Sequence, residues 1–126
     1  MIINNYNILT RGVRGAITVK NNTIEDIKYA TISLISKMIE KNNIKISDIS
    51  HCIFTMTNDL NAAYPAKFVR DELKFDFVPL LCFNELNIQN SLKMCLRALI
   101  IINTEKSQEE IKHIYLEGAK ILRPDL

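Results

Sequence analysis

Residues 78–102, VPLLCFNELNIQNSLKMCLRALIII, constrain this chain more than any other stretch. Two apolar runs of strand character, Val78 to Phe83 and Leu92 to Ile102, follow one another closely, with Cys82, Glu85 and Arg97 set among them. Side chains alternate faces along a strand, so Arg97 shares one face with Cys95, Leu99 and Ile101. A guanidinium cannot shed its charge, and burying it alone costs several kcal/mol, so it requires an anion or water. Three arrangements satisfy it: a structural ion pair with Glu85, a strand end that reaches solvent, or an anionic ligand.

With 126 residues the chain is near the modal size of one domain, large enough to bury about two-thirds of its unfolded surface. We therefore expect a single domain over residues 1–126, with residues 1–9 as an N-terminal extension. A 48% hydrophobic and 24% charged composition is that of a globular chain and excludes the disordered classes. No apolar run approaches the ~20 residues of a membrane-spanning helix, and MIINNYNILT lacks the basic and apolar regions of a signal peptide. These features imply a cytoplasmic protein without membrane partners. Sixteen basic against fourteen acidic residues leave a formal charge of +2, too small for a nucleic-acid surface. Cys52, Cys82 and Cys95 form no CxxC pair, and His51 and His113 have no ligand spacing, so neither a disulfide nor a metal is expected. His51 is read as a strand residue and His113 as a helix-surface residue.

Along the chain, Ile8 to Val19 reads as a first strand containing Arg11 and Arg14, whose odd spacing puts them on opposite faces. Gly12 and Gly15 flank the pair, and glycine within a strand marks a bulge or a close approach. Thr23 then caps a helix with an apolar stripe from Ile24 to Ile39, Met38 included as core filling, ending at Asn42 and Asn43. A second strand spans Asp48 to Met56, with Ile49, Ile53 and Thr55 on one face and Cys52, Phe54 and Met56 on the other. Pro65 opens a short helix through Leu73 on which Lys67 and Arg70 share a face, either a solvated basic face or an anion site at the helix start. After the two central strands, Ser107 is expected to cap a last helix through SQEEIKHIYLEGAKI, stopped by Gly118. The fold class is α+β: a mixed sheet with helices on one face, leaving an apolar face to be closed by copies of the same chain in a cyclic oligomer.

The polar groups inside apolar sequence are Arg14, Lys67, Arg70, Glu85, Arg97, Tyr115 and Arg123, with the Cys82 thiol. They are rich in cations and contain no nucleophile–base pair, metal cluster or phosphate loop. That set suits a small dianionic acid whose reaction needs orientation and charge stabilisation.

Five blocks, RGVRGAITV, YPAKFVRDEL, VPLLCFNELNI, KMCLRALI and HIYLEGAKILRPDL, resemble in order the AroH-class chorismate mutases, over nearly the whole chain from Arg11 to Leu126. The resemblance implies a homotrimeric pseudo-α/β-barrel with active sites between subunits, the substrate chorismate, its Claisen rearrangement to prephenate, and no cofactor or metal. By motif position Arg14 would hold a substrate carboxylate and Arg97 would face the ether oxygen. Glu85 and Cys82 would bind the ring hydroxyl region, and Tyr115 a carboxylate. Lys67, Arg70 and Arg123 would border the entrance, with Tyr64 and Leu122 as apolar walls. Leu81 departs from the threonine usual before the cysteine, Tyr64 replaces a common phenylalanine, and the turn Asn87 to Asn90 lacks the usual glycines. Two other readings are a Rid-type imine deaminase on a similar trimer and a non-catalytic trimer that binds small acids.

Overall fold

The computed structural model describes residues 7–125. Residues 1–6 of the expected extension and Leu126 of the closing RPDL block lie outside the described residues. The elements in chain order are β1 (Leu9–Thr18), α1 (Ile24–Asn42), β2 (Ile49–Met56), α2 (Pro65–Leu73), β3 (Leu80–Asn84), β4 (Cys95–Thr104) and β5 (Ile114–Leu116). Short 3₁₀ turns occupy Ile46–Asp48, Gln108–Glu110 and Glu117–Leu122. The five strands form one mixed sheet in the order β3-β2-β4-β1-β5. β4 runs antiparallel to both β1 and β2, while the outer strands β3 and β5 pair in parallel with β2 and β1. Among the described residues no helix is long and apolar enough to cross a membrane.

Local chemistry fixes the helices. At the start of α1 the Thr23 hydroxyl accepts from the Asp26 N–H at 3.1 Å, with Glu25 and Asp26 in the first turn where the dipole favours anions. Asn43 closes it in the left-handed conformation at φ 50°. Between these ends Ile27, Ala30, Leu34, Ile35 and Met38 form the buried stripe expected from the 3.6 period. They pack with Phe68 and Val69 of α2 against Val13, Ile17, Cys52, Phe54, Leu96, Ala98, Ile100 and Ile102 of the sheet. Both helices thus cover one face of the sheet.

Three expectations need correction. No helix follows Ser107: its capping box forms, but only one 3₁₀ turn results, and Ile111 is already extended. The open edge of β1 captures the segment instead, pairing Ile114, Tyr115 and Leu116 with Gly15, Ala16 and Ile17. Sheet hydrogen bonds to an edge outweigh a short helix's propensity. Gly118 is no helix stop either; its N–H donates to Thr18 Oγ1 at 2.9 Å, and an added Cβ would lie 2.9 Å from that same oxygen. Finally, Ile49 is buried on the helix side with Cys52 and Phe54, because a register shift between Ile49 and His51 turns it over.

Gly15 is the close approach anticipated from the sequence. A Cβ there would stand 2.5 Å from Met38 Sδ and 3.0 Å from Leu34 Cδ1, so α1 rests directly on the β1 backbone. Gly12, by contrast, has only ordinary neighbours at 3.6 Å and beyond. Gly15→Val is expected to lower stability by about 1–3 kcal/mol through overpacking, read from urea unfolding midpoints. The double variant with Met38→Ala should be less destabilised than the sum of the two single changes, since both act on one contact.

Candidate active site

The sheet face not covered by helices carries polar side chains set in one transverse row. Strand register aligns Tyr115 of β5, Ala16 of β1, Arg97 of β4, Thr55 of β2 and Phe83 of β3 side by side. The adjacent row on the same face holds Arg14, Leu99, Ile53 and Leu81. Arg97 and Arg14 are therefore brought to one face from neighbouring strands by the β1–β4 register. Arg11 takes the opposite side, where its Nε donates to the Lys106 carbonyl at 2.8 Å.

Glu85 directly follows β3, and its N–H extends the ladder by donating to the Met56 carbonyl at 2.8 Å. Its Oε1 lies 2.8 Å from Arg97 Nε and accepts from the Thr55 hydroxyl at 3.2 Å, while Oε2 accepts from the Leu86 N–H at 3.3 Å. Arg97 Nε is buried and its N–H is not aligned on the carboxylate, so the contact is an ion pair without a well-formed hydrogen bond. The structural pair expected for Arg97 thus exists, and it stands inside a cleft of about 340 Å³ lined by Arg14, Ile53, Thr55, Glu85, Arg97 and Leu99. Thr55 is a supporting residue whose role no sequence motif signalled.

Tyr115 continues the row at the β5 edge. Its hydroxyl is buried and has no hydrogen-bond partner among the described residues. Leu122 packs beside it against Ala16, Cys95 and Ala119. Arg123 is folded onto Asp125 in a two-pronged pair, Nε to Oδ1 at 3.0 Å and Nη2 to Oδ2 at 2.8 Å. Its guanidinium lies near the Tyr115 hydroxyl without bonding to it in ordinary geometry.

The remaining candidates are elsewhere. Cys82 pairs with Phe54 and points to the helix-covered side, away from Arg97 and Glu85 of the same chain. Strand alternation makes this unavoidable: Cys82 is one residue out of phase with Leu81 and Phe83. Near it, at the start of α2, exposed Tyr64 lines a cleft of about 460 Å³ with Cys82, Phe83 and Asn84. Lys67 and Arg70 are exposed on α2 and have no carboxylate at ion-pair distance among the described residues. Burial raises the Cys82 thiol above its ordinary pKa, against the smaller opposing pull of the Ala66 backbone and the Arg70 charge. One chain therefore holds two separate groups, one around Arg97 and one around Cys82.

The sequence and the fold coincide with those of a known family. The chorismate mutase type I family model matches residues 10–126, and the chain belongs to that family. The chorismate mutase AroH of Bacillus subtilis (strain 168) is 40% identical over 119 residues, covering 94% of each chain. The chorismate mutase AroH of Thermus thermophilus is 42% identical over 119 residues, 94% of this chain and 97% of the relative. Among solved structures, a chorismate mutase from Clostridium thermocellum superposes with a TM-score of 0.85 at 42% identity, covering 87% of this chain and 97% of the other.

All three thiols are free, Cys52 and Cys95 buried and Cys82 half-buried, and burial raises the pKa of each. Titration of the native protein with a thiol reagent at pH 8 should modify no more than one cysteine, slowly, and denaturation should expose all three. Rapid modification of two in the native state would contradict the described packing.

Proposed function

We propose a specific course for the activity that this family membership carries. The protein is a chorismate mutase, an isomerase that converts chorismate to prephenate. Chorismate bears two carboxylates and an enolpyruvyl ether, and its rearrangement is unimolecular. The ether C–O bond breaks as a C–C bond forms, and no proton, electron pair or group leaves the molecule. A site can accelerate such a step by holding the side chain over the ring and by stabilising the charge that develops on the ether oxygen.

Arg97 supplies the positive charge that opposes it. It is a guanidinium already withdrawn from water and held at 2.8 Å by Glu85, in a cleft shared with Arg14. A donor fixed beforehand binds the transition state better than the ground state and so raises kcat. Arg14 grips a carboxylate and the unpartnered Tyr115 hydroxyl donates to one. Glu85 and Cys82 meet the ring hydroxyl region. Lys67, Arg70 and Arg123 line the mouth, with Tyr64 and Leu122 as walls. For Arg123 this requires exchanging Asp125 for substrate. The observation that carries the reading is the Arg97 guanidinium, planted among apolar strand residues and facing a cleft instead of the core.

The separation of the Arg97 and Cys82 groups supports a homotrimer in which each cleft joins the first group of one subunit to the second group of its neighbour. Leu81, Phe83, Leu86 and Ile88 are more than half exposed on one chain, an apolar surface suited to such burial. We further place the protein in the cytoplasm, as one domain acting without a cofactor.

Loss of chorismate ultraviolet absorbance gives the decisive assay. Arg97→Ala should lower kcat by roughly 10²-fold or more, about 3 kcal/mol, and Arg97→Lys should recover part, since charge remains without the planar fork. Absence of turnover by the parent protein, or an unimpaired Arg97→Ala variant, would overturn the reading. Light scattering should report three subunits. Co-expressed Arg97→Ala and Arg70→Ala chains should restore activity in about a quarter of the clefts, the fraction in which both intact halves meet by chance. A monomer, or no complementation, would remove the shared-cleft arrangement.

A further inference from the structure

The outer edge of β1 is satisfied by a succession of different groups. Gly12 exchanges two hydrogen bonds with the Gln108 carboxamide, its N–H donating to Oε1 at 3.1 Å and its carbonyl accepting from Nε2 at 2.8 Å. β5 pairs from Gly15 to Ile17, and the Thr18 hydroxyl takes the Gly118 N–H. Between the carboxamide and the strand lies Arg14, whose backbone N–H donates to His113 Nδ1 at 3.0 Å. A backbone N–H can only donate, so Nδ1 must carry a lone pair and the proton of the neutral ring sits on Nε2.

The surroundings hold that state. Lys37 on α1, Lys120 and Arg123 line one cleft with His113 and Tyr115, Arg14 meets its ring from β1, and Asp125 is the carboxylate paired with Arg123. Partial burial first, then the Arg123 and Arg14 charges, lower the His113 pKa below the ordinary imidazole value. Folding thus favours the neutral ring, and the preference weakens only as pH falls below the range in which a free imidazole titrates.

We propose that His113 is a positioning residue for the rearrangement: its Nδ1 fixes the β1 backbone at Arg14 and so aims that guanidinium into the cleft beside Arg97. The inference rests on Arg14 gripping a substrate carboxylate. The β5 ladder begins only at Gly15, so without the imidazole the outward N–H of Arg14 would have no partner between Gln108 and β5, and only the β4 ladder on the inner side would hold this part of β1. Small displacements of a charged anchor are expensive in a reaction that depends on holding one conformer.

Steady-state kinetics on chorismate test this with four variants. His113→Leu should raise KM about tenfold with kcat within about twofold, the signature of a displaced anchor. His113→Asn, whose Oδ1 can accept the same N–H, should return KM to within about threefold of the parent. In an Arg14→Ala background, His113→Leu should add nothing, because the effect passes through Arg14. Parent-like KM in His113→Leu, equal impairment by Leu and Asn, or an undiminished effect in the Arg14→Ala background would each overturn the inference. A parent-like KM for Arg14→Ala would instead overturn the carboxylate reading beneath it. Independent of any variant's folding, nitrogen NMR of the parent at pH 7 should find His113 Nδ1 unprotonated; a proton there would refute the proposal.

Discussion

One-sided burial is the constraint from which the rest follows. Five strands give α1 and α2 a complete apolar face, from Val13 and Ile17 to Phe54 and Ile100, and leave the other face covered only around Ala16 and Cys95, by the closing turn with Ala119 and Leu122. Strand alternation then decides what that second face displays. Because Leu96, Ala98, Ile100 and Ile102 must point to the helices, Arg97, Leu99 and Ile101 must point away. Arg97 is placed on that face by its phase relative to the core.

Electrostatics refines what geometry begins. Glu85 holds Arg97 by charge while distributing its oxygens to Thr55 and the Leu86 N–H, so the carboxylate is itself constrained from three directions. Truncating one member of a half-buried pair leaves the other charge poorly solvated, so a substitution at Glu85 or Arg97 is felt at its partner. The β1 edge has a similar economy: Gln108 and His113 replace backbone partners where β5 is too short to reach.

Much of this was legible in the sequence. The alternation around Arg97, the Thr23 cap, the Asn43 stop and the Pro65 start are local signals, and each forms as read. The segment after Ser107 misled because its capping box is real but only one turn long, and what claims the following residues is the distant edge of β1. No local pattern announces a partner a hundred positions away. Ile49 misled because a bulge leaves no mark in the apolar pattern. Cys82 adjoins Glu85 in sequence but faces the other side, and His113 looked like a helix-surface residue only because the helix was wrong.

The uncovered face has a consequence for a chain by itself. A solitary copy displays Leu81, Phe83, Leu86 and Ile88 to water. Such a molecule is adhesive: the longer a single chain stays free, the longer that greasy surface is offered to chaperones, proteases and unintended neighbours.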